Sequence, residues 1–382
     1  MTLGVPQRPA RVFFALAAAL CPVAANAQGG GGAAPRSSWF AGVQAEQGYD
    51  NNVRYDVDSA RISDYNRRLT GSLSASRVRA RTTLGIAANG FVVRYQEQKV
   101  LNAVAFDISP TAIRRLSAHT TATAGAYVRR ALSSEVTGLP TALLYSRTIQ
   151  KSVGGSFGIA KRFSAFNTGS VDVGYGTIKF DRPGLVPGSS FTARGQFAHL
   201  LRKRGAIGVV ADVTQGDAQG TQLATQTLAA LVSPRIAKLR ISIIAGATRV
   251  QTDSSSNVLP SGSVQLSDSI GPGAYSVGYS RAASQAFGLG ALLVSDAVTG
   301  SYDFQARKGN FVQLGGWWGV SRSTVAGPST SLKSRAAFAS FRRVLKAGIT
   351  LSGSTAYRHR QDLIEASGFS AQFGLGFALR PR

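Results

Sequence analysis

The chain of 382 residues has one cysteine, one methionine and three histidines, and its 18 acidic residues face 43 basic ones. The cysteine, Cys21, lies near the N-terminus, so the chain beyond it has no disulfide framework and no thiol for catalysis or metal binding. His119, His199 and His359 are far apart, and none has a second ligand at metal spacing. No serine stands in a Gly-x-Ser-x-Gly elbow. Gly288-Leu289-Gly290 and Gly374-Leu375-Gly376 read as tight packing or bending within strands and not as phosphate cradles. No apolar run is long enough to cross a bilayer as a helix. The expectation is a protein that is not an enzyme and carries no cofactor and no metal.

Residues 1–27 have the layout of a secretory signal: Arg8 and Arg11, an apolar centre from Val12 to Leu20, and the small residues Ala25-Asn26-Ala27 before Gln28. Leu20 stands where a lipidation site needs a small residue before Cys21. Gln28 to Ser38 is a flexible leader with too little apolar content to fold, placed on the periplasmic side, and residues 39–382 form the remaining domain. The formal net charge is +25. Export from the cytoplasm and the lack of any nucleic-acid-binding signature exclude DNA or RNA as the reason for it.

What the chain does have is alternation with a period of two. In Ile349 to Tyr357 the residues Ile349, Leu351, Gly353, Thr355 and Tyr357 share one face, while Thr350, Ser352, Ser354 and Ala356 share the other. The same alternation appears at Ala41, Val43 and Ala45, at Leu69, Gly71, Leu73 and Ala75, and at Leu84, Ile86 and Ala88. It returns at Val171, Val173 and Tyr175, at Leu239, Ile241, Ile243 and Ala245, and at Val312, Leu314, Trp318 and Val320. It continues with interruptions and is weakest at residues 132–152 and 283–298.

Short basic turns punctuate these segments near Arg77-Val78-Arg79, Arg114-Arg115-Leu116, Lys161-Arg162-Phe163, Arg202-Lys203-Arg204, Arg235 to Lys238, Arg307-Lys308-Gly309 and Arg342-Arg343, with an uncharged one at Ile270 to Gly273. Their spacing of roughly 30 to 45 residues fits two strands and a longer loop. An all-β, transmembrane, antiparallel up-and-down β-barrel of about 18 strands is the fold this spacing predicts, with 16 as the alternative.

A soluble sandwich could also use the apolar faces. Export, wet faces of Ser, Thr, Gly and Gln, and short turns alternating with longer polar loops favour a barrel in the bacterial outer membrane, with lipid and lipopolysaccharide as its surroundings. Tyr49, Tyr65, Tyr95, Tyr127, Tyr145, Tyr175, Tyr275, Tyr302 and Tyr357 fall mostly near strand ends, where a lipid–water boundary would hold them.

Charge placement carries the functional reading. The turns give a basic inner rim of Arg77, Arg79, Arg114, Arg115, Lys161, Arg162, Arg202, Lys203, Arg204, Arg235, Lys238, Arg307, Lys308, Arg342, Arg343 and Lys346, whereas the acids gather in or beside the outer loops. Parity assigns Arg68, Arg194, Arg240 and Arg358, with Asp107, Asp172, Asp212 and Asp303, to the pore lining. A ring of cations at one mouth would concentrate polyanions there. Lysine and arginine that only solvate turns and guard strand edges are the plainer explanation. No loop is long enough to fold conspicuously into the lumen.

Strand one ends in Gly48-Tyr49-Asp50-Asn51-Asn52-Val53, and hairpins turn on Arg-Arg-Leu-Ser or Lys-Arg-Phe-Ser. In these features the chain resembles outer-membrane β-barrel porins encoded beside exopolysaccharide gene clusters. The resemblance implies a conduit for export of an anionic exopolysaccharide, with that polysaccharide and a periplasmic export partner as its contacts. The alternatives are a general diffusion porin for small anionic solutes and a surface structural or adhesin barrel. The leader is too short for the plug of a siderophore receptor. The end of the chain departs from the usual terminal aromatic residue: Arg380-Pro381-Arg382 come after Phe377 and Leu379.

Overall fold

The computed structural model describes residues 36–379 apart from 55–57, 133–147, 202–204, 237–238, 254, 308, 324–330, 346–347 and 362–364. The signal, most of the leader, Tyr145 and the last three residues therefore lie outside the described residues. The strands in chain order are β1 (Arg36–Asp50), β2 (Asp64–Val78), β3 (Thr82–Tyr95), β4 (Ala103–Arg115), β5 (Thr120–Leu132) and β6 (Ile149–Arg162). Then come β7 (Asn167–Phe180), β8 (Gly188–Leu200), β9 (Gly205–Ala218), β10 (Thr221–Ile236), β11 (Leu239–Thr252) and β12 (Ser256–Ile270). The last are β13 (Gly273–Ala286), β14 (Ala291–Arg307), β15 (Asn310–Ser323), β16 (Ser331–Val344), β17 (Ile349–Gln361) and β18 (Glu365–Leu379). Each strand pairs antiparallel with its chain neighbours, and β1 pairs with both β2 and β18, which closes an 18-stranded barrel.

Contacts that skip a strand can form only on the concave side of a closed sheet, so they show which face is inside. Gln44 on β1 donates to Ser352 Oγ on β17 at 2.9 Å, past β18. Trp317 on β15 packs on Ala366 of β18. Even-numbered residues of β1 and β17 therefore face inward, and the ladder registers carry this assignment around the barrel.

The apolar faces point outward. Val43 lies opposite Gly71 and Phe377, and Leu69, Leu73, Val171, Leu314 and Leu375 are all exposed. A soluble protein could not leave so many large apolar side chains in water, whereas hydrocarbon accepts them. One outward glycine is covered from the next strand: a Cβ on Gly353 would strike the ring of Phe341, so the ring fills the gap a missing side chain would leave in the lipid-facing wall.

Two features depart from the sequence reading. The outer connection from β9 to β10 is only Gln219-Gly220, both at positive φ (55° and 93°), a two-residue turn whose twist suits a hairpin. Long outer loops therefore do not alternate with short turns all the way round.

The second departure is at β13 and β14. Pairing of β12 with β13 ends at Gly262 and Arg281, while β13 and β14 continue together to Ala286 and Ala291. Their shared tip, with a 3-10 turn at Phe287–Leu289, leaves β12 and bends inward. Pro260 lies in the stretch of β12 that has lost its neighbour, and a residue without an amide donor is tolerated at such an edge.

The orientation of the faces is testable with one pair of variants. Leu73→Arg, on the lipid face, should lose about 2–4 kcal/mol of unfolding stability in vesicles, whereas Ser72→Arg beside it on the inner face should lose far less. Equal losses in a urea titration would contradict the assignment.

Candidate functional site: the inner wall

The inner wall changes character with depth. At the outer end, two segments fold in on apolar contacts. Val53 and Ile62 of the β1–β2 connection pack with Val93 and Tyr95 of β3, Ala103 of β4 and Leu132 of β5, and the Val53 amide donates to the Ile62 carbonyl at 3.0 Å. The β13–β14 tip packs through Leu292 and Phe287 on Ala218, Leu223 and Val250 of β9 to β11.

Glycines make room for this tip. A Cβ on Gly188 would overlap Phe287, and one on Gly216 would overlap the Gln285 amide. Gln285 Nε2 donates to the Leu223 carbonyl at 2.8 Å, and the Val186 amide to the Gly288 carbonyl at 3.2 Å. Gly288-Leu289-Gly290 is thus the turn of an inward hairpin and not a glycine pair inside a strand. Alternation fails at 283–298 for the same reason: Leu292, Leu293 and Val294 are buried in succession because the tip is covered on both faces. That consecutive apolar run was the signal available in the sequence.

The middle of the wall is polar and charged. Arg68 sits 3.7 Å from Glu46 with its guanidinium 3.6 Å from the centroid of Phe91. Asp107 accepts from Arg129 and from Ser109 Oγ. Arg194 is registered between Asp172 and Asp212 on the strands to either side, and its Nη2 is buried with no hydrogen-bond partner among the described residues. Asp172 lies over Gly158, where any side chain would displace it. Thr227 and Thr248, and Ser295 and Ser321, share hydroxyl hydrogen bonds of 2.7 and 2.8 Å.

Arg358 and Asp303 also lie on inward positions of β17 and β14, and Arg240 on an inward position at the inner end of β11. All eight of these residues stand on inward registers. Arg129 and Arg360 are inward cations that the sequence reading did not name.

The basic turns do not form one ring. Arg77, Arg114, Lys161 and Arg343 are exposed on the lipid side, Arg79 lies in the turn itself, and Arg115, Arg162, Arg235 and Arg342 are on inward positions. Alternation is the cause, since adjacent basic residues at a strand end must point opposite ways. Arg235 is registered opposite Arg240. Arg162 meets His119 Nδ1 at 3.1 Å, and Arg342 lies 4.7 Å from the centroid of Phe311. Arg202, Lys203, Arg204, Lys238, Lys308 and Lys346 lie outside the described residues, as does the side chain of Arg307.

The tyrosines also divide. Tyr49 and Tyr65 pack at 5.2 Å on the outer surface, but Tyr95 is buried inside and Tyr127 lies across Gly154 and Gly176 on the inner wall.

The barrel has the architecture of known outer-membrane channels. It is similar in fold to crystal structures of three Pseudomonas aeruginosa proteins. These are OccK2 (OpdF) in complex with glucuronate (9% identity, TM-score 0.51, 91% of this chain and 98% of that one), OpdQ (12%, 0.50, 91% and 98%) and the outer membrane protein OpdK (10%, 0.50, 90% and 99%). This is the fold of an outer-membrane porin. No family profile and no curated protein matches the sequence. The porin fold and the apolar exterior place the chain in the bacterial outer membrane.

In this barrel the β1–β2 connection is tied to β18. Asp58 accepts from Arg61 (Nη2 2.7 Å, Nε 3.0 Å) and from the Ser367 amide at 2.7 Å. The Arg61 hydrogen bond is the main reason the Asp58 carboxyl is held below its ordinary range; partial desolvation opposes it and the Ser367 amide reinforces it. A depressed carboxyl stabilises the docked connection at pH values above its unfolded pKa, and the contribution is lost as pH falls through the lowered value. Asp58→Asn should therefore reduce protection of the Ser367 amide at neutral pH, while the wild type loses it only in acid. Hydrogen exchange, corrected for intrinsic rates, reads both effects.

Proposed function

We propose that the chain is a passive outer-membrane channel for small solutes with a preference for organic anions. The observation that carries this reading is a lumen wall with guanidinium groups along its depth, from Arg68 and Arg360 through Arg194 to Arg162, Arg235, Arg240 and Arg342 at the inner mouth, below an outer end narrowed by two apolar, inward-folded segments. Rings of fixed charge bias permeation toward the opposite sign. Arg194 supports the reading by its place, a guanidinium on an inward register in the middle of the wall between Asp172 and Asp212. OpdF, similar in fold, was crystallised in complex with glucuronate, itself a small organic anion.

Export of an anionic exopolysaccharide has less support. A polymer chain would have to pass the β13–β14 tip and the β1–β2 connection, both seated on tightly packed apolar clusters. A purely structural barrel has no need of so many inward cations, whose burial without water would be costly.

In planar bilayers the reversal potential under a salt gradient should show anion preference. Arg194→Gln, which leaves Asp172 and Asp212 without their intervening cation, should shift it toward cations. Replacing Ser284 to Leu292 by an Asn-Gly turn should raise the single-channel conductance. Cation preference in the wild type, or an unchanged conductance in the shortened variant, would refute the reading.

A further inference from the structure

The outward face holds charge that neither the lumen nor the turns explain. At the outer ends of β2 and β3, Arg67 and Arg94 are registered directly opposite each other and both are exposed on the lipid side. Across β5, β6 and β7, Arg130, Lys151 and Lys179 form a second registered row on the same surface. Like charges directly opposite on a sheet repel, and cations on the lipid face of a barrel are unfavourable away from the interface.

Among the described residues one acid answers these five cations: Asp181, 2.7 Å from Lys151 and 4.0 Å from Arg130. Below them the outward residues are apolar, with Leu69 and Leu73 on β2, Val92 and Ile86 on β3, and Val153, Phe157 and Ile159 on β6. The cations therefore sit at the upper margin of the hydrocarbon belt, where long basic side chains reach for headgroups.

We propose that this surface binds the phosphate groups of lipid A in the outer leaflet. Two sets of cations, separated by the single strand β4 and with little internal neutralisation, flanked by a surface suited to acyl chains, match a lipid that carries two phosphates above several chains. Phosphate supplies the counter-charge that the registered cations lack, through charge-assisted hydrogen bonds to arginine. The inference is independent of what passes through the lumen.

The test uses the folded full chain in detergent, with heat-modifiable gel migration confirming that each variant is folded. Bis-phosphorylated lipid A, dephosphorylated lipid A and phosphatidylglycerol are titrated against the wild type, against a variant with Arg67, Arg94, Lys151 and Lys179 changed to Gln, and against a control with the inner-end lipid-facing Arg77 and Arg114 changed to Gln. The expected result is tightest binding of bis-phosphorylated lipid A by the wild type and the control, weakened by at least about tenfold in the outer variant and on removal of the phosphates. Three results would overturn the proposal: equal affinity in the outer variant, equal loss in the inner control, or phosphatidylglycerol binding as tightly as lipid A.

Discussion

In hydrocarbon no water is available to satisfy a backbone amide or carbonyl, so a strand can cross a membrane only with another strand on each side. The pairing of β1 with β18 meets this demand by removing both sheet edges. Everything else in the molecule is arranged on that closed ladder. Once the cylinder exists, the period of two assigns every residue to lipid or lumen, and a single chain supplies an oily exterior and a hydrated interior.

This is why so much was legible from residues alone. The turns at Arg79, Leu116, Phe163 and Gly271 mark hairpins regardless of tertiary context, and the outward sets such as Val171-Val173-Tyr175 need no knowledge of their neighbours to be recognised. The inward registers of Arg68, Arg194 and Asp212 follow from the same parity. Which basic residues at a strand end would face lipid was equally implicit, because Arg114 and Arg115 cannot point the same way, yet treating each turn as a single charge hid it.

The inward tip of β13 and β14 was not legible, because it is made by strand ends and not by a loop. A segment that leaves the wall exchanges one wet and one oily environment for packing on both sides, and its sequence then loses the alternation that marks strands of the wall. Leu292-Leu293-Val294 and Ala286 carry that change. Their receptors, Gly188 and Gly216, are distant in sequence and look like any other strand glycines. Tyr95 and Tyr127 misled for a related reason: an aromatic ring suits a membrane boundary, but it suits an apolar cluster inside the barrel, as at Tyr95, or a glycine-lined inner wall, as at Tyr127, equally well.

The departure of β13 from its neighbour also bears on the mechanics of the cylinder. Above Gly262, β12 keeps only β11 beside it, so one row of main-chain groups on its far side lacks the ladder that holds the other staves together. Resistance to separation is not uniform across a fold. This seam, with Pro260 set into it, is a place where the described wall is held from one side only, and it lies near the outer rim, leaving the deeper hoop of paired strands intact.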